Sequence, residues 1–232
     1  MEIDEWGQGD WNVTSIVYDW QANFERVIEN GLDATHTEFV HPSAGLQGSF
    51  NPSDHGDGEL VELSWGSAFR SKATGVEIEH GHLGPVNQWT FLTFNSAGFS
   101  GRFKFYSFVR PIDQNSVRRY LFHARNFQPG EAMDKELIDT TLGFEAEDRI
   151  VIENMRPHYS PRDGGGELLL PEDEIMLRYR RWLLEWDNKG WRIDHHAIAE
   201  ESSRRIFAVP CPGRRKKKNW VRAPVPLLGN GH

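Results

Sequence analysis

The chain contains a single cysteine, Cys211, and that scarcity excludes two arrangements. One thiol cannot close an intrachain disulfide, and it cannot hold an iron–sulfur cluster, which takes four cysteines or two cysteines and two histidines. Long apolar runs are also lacking: nothing approaches the roughly eighteen residues of a membrane span, and Met1 to Trp6 have neither the basic nor the apolar region of a signal peptide. A cytoplasmic location is the corresponding expectation. Positive charge is in deficit, with 26 Lys and Arg against 34 Asp and Glu for a net charge of −8. That balance argues against a nucleic-acid partner, because phosphate attraction needs a basic face. The local exception, Arg214 to Lys218, follows Pro210, Pro212 and Gly213 and reads as a solvated tail segment.

What is present fits a folded protein. Hydrophobic residues make up 38% of 232 residues, 14 Phe, 9 Trp and 5 Tyr among the aromatics, enough to bury one sizeable core. A single domain over 1–232 is expected, with an extended, proline-rich tail from about residue 200. Residues Trp11 to Trp20 alternate as a strand does. From Gln21 the period changes: Phe24, Val27, Ile28 and Leu32 form one apolar helical stripe, and the helix is expected to run on to His41, where Pro42 disfavours the α conformation. A Gly-, Ser- and Asp-rich loop to Gly58 follows.

Strands are then predicted at Glu59 to Ser67, Gly75 to His80, Trp89 to Asn95, Phe103 to Arg110 and Val117 to Asn126. Their connections are too short for parallel crossovers, so the sheet should be antiparallel. A long helix is predicted from Ala132 to about Met155, with Leu137, Thr141, Phe144, Asp148 and Val151 on one face. Another is expected from Pro171 to Trp186, its proline and acidic residues at the N-terminal end.

The segment from Glu29 to Pro42 carries the chemistry. His36 and His41 lie five residues apart, with Asp33 three residues before the first. Residues i and i+5 diverge by roughly 140° around a helix, so both imidazoles reach one metal only where the helix ends or bulges. Two histidines suit Zn, Fe, Cu or Ni, and a carboxylate from another element would complete a facial triad of the kind that holds ferrous iron in non-haem oxygenases. Asp148, an acid on the apolar face of the long helix, is the favoured third ligand, since metal ligation would offset the cost of burying it. Glu145 and Glu147 are its rivals. His195 and His196 read as structural or solvent-facing.

The run Asn23 to Pro42 resembles the iron-site helix of the Rieske non-haem iron oxygenases, where Glu-Asn-x-x-Asp-x-x-His-x4-His recurs. Phe144-Glu-Ala-Glu-Asp-Arg-Ile-Val-Ile-Glu153 resembles the helix that supplies the third ligand. Tyr179-Arg-Arg-Trp182, Gly190-Trp-Arg-Ile-Asp194, Pro210-Cys-Pro-Gly213 and Val225-Pro-Leu-Leu228 extend the likeness to the vanillate O-demethylase, phthalate-dioxygenase-like and pheophorbide a oxygenase-like branch. The resemblance implies an α+β domain of the helix-grip type, an antiparallel sheet curved over long helices. It implies His36, His41 and Asp148 as ligands of mononuclear non-haem Fe(II), Asn30 lining the pocket, and Asp33 linking the site to the cluster of a neighbouring subunit.

The implied reaction oxygenates an aromatic or other apolar small molecule with dioxygen, by hydroxylation or O-demethylation, in a homotrimer fed by Rieske or ferredoxin and reductase donors. Full-length members carry an N-terminal Rieske domain with Cys-x-His and Cys-x-x-His motifs. This sequence has neither, so the expectation is a catalytic domain whose two-iron two-sulfur cluster belongs to another domain or chain. Two rivals are a non-catalytic carrier of hydrophobic ligands with a vestigial metal site, and a zinc hydrolase, which would lack the general base of His-Glu-x-x-His.

Overall fold

The computed structural model describes residues 1–42, 58–73, 75–161, 166–201, 203–208 and 223–229. Cys211, the basic run at 214–218 and most of the loop after Pro42 lie outside the described residues. The chain divides into two compact units, Met1–Tyr179 and Arg180–His232.

The first unit is built on a seven-stranded sheet. Strand β1 (Asn12–Trp20) is rich in β-branched residues, and β2 (Glu59–Leu63), β3 (Gly66–Ala73), β4 (Val76–Leu83), β5 (Asn87–Ser96), β6 (Phe99–Pro111) and β7 (Val117–Arg125) follow as a meander. The order is β1-β7-β6-β5-β4-β3-β2, and every pairing is antiparallel, as the short connections require. Gly84 and Gly98 take φ of +66° and +93° in two of the turns, a region open to glycine at little cost. The strand expected over Glu59 to Ser67 instead breaks after Leu63, which pairs with Gly66 across Ser64 and Trp65, a two-residue turn without the usual Asn-Gly or Asp-Gly signal. Most of β3, which runs on to Ala73, lies outside the predicted strands.

One face of the sheet carries Trp89, Phe91, Tyr106, Phe108 and Phe122, covered by the N-terminal segment through Met1 and Ile3. Glu5 pins that segment. Its carboxylate accepts from the Tyr106 hydroxyl at 2.8 Å and from the Lys104 ammonium.

The opposite face receives helices α1 (Phe24–Leu32) and α3 (Glu131–Asn154), the former against β4, β5 and β6 and the latter against β1. Helix α1 starts where the Asn23 side chain accepts the Glu25 backbone N–H at 3.0 Å, satisfying one of the unpaired donors of a helix N-terminus. Val27, Ile28 and Leu32 are buried. At Gly31 a β-carbon would lie 1.8 Å from the Gln88 side-chain nitrogen, so α1 approaches β5 closely there and a larger residue would have to displace the Gln88 amide. The helix does not continue to His41 as expected. It ends at Asp33, and a separate five-residue helix, α2 (His36–Val40), follows.

Helix α3 lies where the sequence places it, but rotated from the expected stripe. Its buried residues are Thr141, Glu145, Asp148 and Ile152, while Val151 is 41% exposed. Three of these four are polar, which an apolar periodicity cannot register. A turn of 3-10 helix at Pro171–Asp173 leads into α4 (Glu174–Asn188). No helix among the described residues is long and apolar enough to cross a membrane.

The second unit holds the end of α4, then α5 (His195–Glu201), which starts where Asp194 accepts the Ala197 N–H at 3.0 Å. Two-residue strands β8 (Phe207–Ala208) and β9 (Ala223–Pro224) pair in parallel, and Ile193 bridges Leu227. His195 and His196 are exposed.

Two inward-facing histidines set an acid limit on the first unit. His82 and His123 are 0% and 1% exposed, and burial pushes each down to about 4, with the Arg125 charge adding to the effect at His123. The unfolded chain takes up these protons near the ordinary value of 6.5. Stability is therefore full above pH 6.5 and falls as the pH drops from 6.5 towards 4, each histidine contributing a slope of up to about 1.4 kcal/mol per pH unit. Replacing His123 with Gln should flatten that decline, measured as the urea midpoint between pH 7 and 4.5; an unchanged slope would contradict the assignment.

Candidate metal centre

The break between α1 and α2 is made by one side chain. The Asp33 backbone N–H closes α1 on the Glu29 carbonyl at 2.9 Å. Its Oδ1 then accepts from the Thr35 N–H at 2.9 Å, the Thr35 hydroxyl at 2.7 Å and the His36 N–H at 3.1 Å. Asp33 thus ends one helix and caps the next. His36 is the first residue of α2, and His41 leaves it with φ −111° and ψ 70°. The five-residue spacing therefore straddles a helix end, and the two rings lie edge to face with centroids 5.3 Å apart.

Across from them, α3 presents Asp148. Its Oδ1 is 3.3 Å from Nε2 of His36 and 3.3 Å from Nε2 of His41. One donor atom from each residue lies within 4.8 Å of the other two, and the side chains are only 15%, 6% and 10% exposed. Two ligands each about 2.1 Å from a common ion stand roughly 3.0–3.4 Å apart, so the separations suit a shared cation.

The hydrogen bonds select the nitrogens. Nδ1 of His36 faces the Asp33 carbonyl oxygen at 2.5 Å, and Nδ1 of His41 faces Glu147 Oε2 at 2.8 Å. With an N–H on each Nδ1 donating outward, both Nε2 atoms keep a lone pair directed at the space shared with Asp148. Asp148 Oδ1 itself is buried and has no hydrogen-bond partner. A buried carboxylate oxygen left this way is costly, and a bound cation removes the cost. Burial works against protonating His36, yet the Asp148 carboxylate, aided by Asp33, outweighs it and holds its pKa above the ordinary imidazole value.

The three neighbouring acids of α3 have separate partners. Asp148 faces the histidines, Glu147 bonds His41, and Glu145 accepts from the buried Arg119 guanidinium at 2.5 Å. Arg119 lies over the Trp20 ring, 4.5 Å from its centroid, with Tyr18 alongside. Burial disfavours its charge, but Glu145 more than compensates and keeps it protonated. Farther along α3, Thr141 meets His123 and Asp134 meets Arg125. Sequence reasoning weighed Glu145 and Glu147 only as rival ligands and overlooked Arg119. The available signal was a charge at 119 in register with Val117 and Leu121 on the inward face of β7. Asn30 is half-buried on α1, one turn before Asp33, and its side chain makes no hydrogen bond among the described residues.

An antiparallel sheet gripping long helices, with two histidines and an aspartate gathered beneath it, defines a catalytic domain of the Rieske non-haem iron oxygenase type. The chain belongs to the vanillate O-demethylase oxygenase C-terminal domain family, whose model matches residues 20–57 and 78–188, spans that contain Asn30, Asp33, His36, His41 and Asp148. It is 25% identical over 179 residues to methylxanthine N1-demethylase NdmA of Pseudomonas putida, covering 72% of this chain and 48% of that protein. The chain thus spans about half the length of the curated relative it matches.

Among solved structures, the NdmA QL mutant of Pseudomonas putida CBB5 with caffeine superposes with a TM-score of 0.68 at 21% identity, over 82% of this chain and 55% of that one. Apo dicamba monooxygenase gives 0.58 at 14% identity, over 77% and 57%. Both share the helix-grip fold.

Because Glu145 is the buried partner of Arg119, Glu145→Ala should cost about 3–5 kcal/mol in urea denaturation by stranding the guanidinium. Replacing both residues with apolar ones, Arg119→Met with Glu145→Leu, should recover most of that loss. Equal destabilisation in the double variant would mean that the pair is not the source.

Proposed function

We propose that the chain is the iron- and dioxygen-dependent catalytic domain of a cytoplasmic oxygenase that hydroxylates or O-demethylates an aromatic or other apolar small molecule. Its electrons come from a Rieske domain or protein and a reductase, with the catalytic domains arranged as a homotrimer. The observation that carries this reading is the buried Asp148 oxygen without a hydrogen bond, 3.3 Å from two imidazole nitrogens, in a member of this family. A carrier of hydrophobic ligands would have no use for such an oxygen.

Ferrous iron would be held by His36, His41 and Asp148 and would supply the centre at which dioxygen is activated. The protein's own residues do the rest. Asp33 keeps α2 capped and orients His36 through its carbonyl. Burial of the triad keeps bulk water from the reacting groups. Asn30 lines the substrate side of the pocket. Asp33 also connects the site by hydrogen bonds to the cluster of the neighbouring subunit, and the substrate is a small ring compound of the size of the methylxanthines and dicamba for which the relatives are named.

Anaerobic purification with iron should yield about one iron per chain, and His36→Ala should lose it. Persistent absence of iron after reconstitution would sink the proposal. Asp33→Asn separates structure from electron transfer, because Asn caps helices as well as Asp does. That variant should keep its iron and its melting temperature while turnover with a Rieske donor system collapses; undiminished turnover would remove Asp33 from the electron path.

A further inference from the structure

We infer that Glu147 is a positioning residue of the metal centre, fixing the tautomer and ring orientation of His41 so that Nε2 stays available as a donor. The inference rests on the reading of His36, His41 and Asp148 as metal ligands, and adds a role that the ligand set does not contain.

The geometry is specific. Glu147 Oε2 lies 2.8 Å from His41 Nδ1, a distance proper to a charge-assisted hydrogen bond. A carboxylate accepts and does not donate, so in a neutral His41 the shared proton sits on Nδ1 and the lone pair sits on Nε2. That second nitrogen is the one 3.3 Å from Asp148. The opposite tautomer would direct an N–H at the shared space and leave two acceptors facing each other at 2.8 Å.

The ring is also held from its face, where Phe144 packs with centroids 4.9 Å apart. With Phe144 on one side and Glu147 at its edge, the His41 ring is clamped by the same turn of α3 that carries Asp148. Two of the three donor atoms are therefore placed by five consecutive positions, 144 to 148, of a single helix.

The two histidines are not held alike. His36 Nδ1 faces the Asp33 backbone carbonyl, three residues before it in its own segment, an interaction no side-chain substitution at that carbonyl removes. His41 depends on a side chain from another element, 106 positions along the chain. Glu147 is 32% exposed at its side chain, so its removal opens no core cavity. A loss of metal on its removal would then report orientation and not collapse of the fold. Carboxylates that accept from a ligating histidine raise its basicity as well as fixing its direction, and their loss typically lowers metal affinity about 10- to 100-fold.

The test is anaerobic titration of the full chain with Fe(II), and with Co(II) followed through its visible absorption, on wild type, Glu147→Ala, Glu147→Gln and Glu136→Ala. Glu136→Ala removes one exposed negative charge from the same helix and controls for the general field. Glu147→Ala should bind both ions about 10- to 100-fold more weakly, with an unchanged melting temperature in chelator. Glu147→Gln, which can still accept from Nδ1–H but carries no charge, should lie between the two. Wild-type affinity in Glu147→Ala, or an equal loss in Glu136→Ala, would overturn the positioning role while leaving the metal site standing. Failure of the wild-type chain to bind either ion would overturn both.

Discussion

The buried pair of Arg119 and Glu145 is the interaction on which the site depends. A guanidinium 2% exposed in the middle of β7 is tolerable only with a counter-charge, and the one it has is on α3, a single turn before Asp148. The pair does not stand alone. On the inward faces of β1 and β7, Thr14 lies opposite His123 and Tyr18 opposite Arg119, and α3 answers with Thr141 and Glu145. A helix held by apolar contacts alone can slide or rotate at modest cost. One held by directional polar contacts at successive turns has a single axial position, and that position delivers Asp148 to the histidines.

Polar burial on α3 also explains how three carboxylates within four residues avoid mutual destabilisation. Each faces a different cationic or donor group: Arg119 for Glu145, the His41 ring for Glu147, and the space between two imidazoles for Asp148. The last is the only one of the three with a buried oxygen lacking a hydrogen bond. The helix divides its acids between holding the fold, bonding His41 and presenting a buried oxygen to two imidazoles.

Much of this was legible in the sequence, and the limits have physical reasons. The apolar stripe of α1, the antiparallel strands and the extent of α3 follow from periodicity and turn residues. The gathering of His36, His41 and Asp148 agrees with the argument that a five-residue spacing needs a helix end. Periodicity failed where burial is polar: it chose Phe144 and Val151 for the inner face of α3, where Glu145 and Ile152 lie. It also ran α1 through Asp33, because the side-chain bonds that start α2 come from a residue in a position that an uninterrupted helix would fill. The hairpin at Ser64 and Trp65 has no sequence signature of a tight turn, so the sequence pattern carries one strand across it to Ser67 and assigns the rest of β3, to Ala73, to no strand. Arg119 was passed over because a charge in a strand is ordinarily solvent-facing, and only its partner 26 positions later makes sense of it.

Helix α2 has five residues and none of them is buried. A segment that short has no stability of its own and keeps its shape because Asp33 holds one end and α3 receives its histidines. A metal ion joining His36 and His41 to Asp148 would therefore act as a cross-link between distant parts of the chain, restricting the unfolded ensemble much as a disulfide does. In a chain whose single cysteine allows no internal disulfide, such an ion would double as the staple, and the helix bearing the two histidines would be the first element to loosen when it leaves.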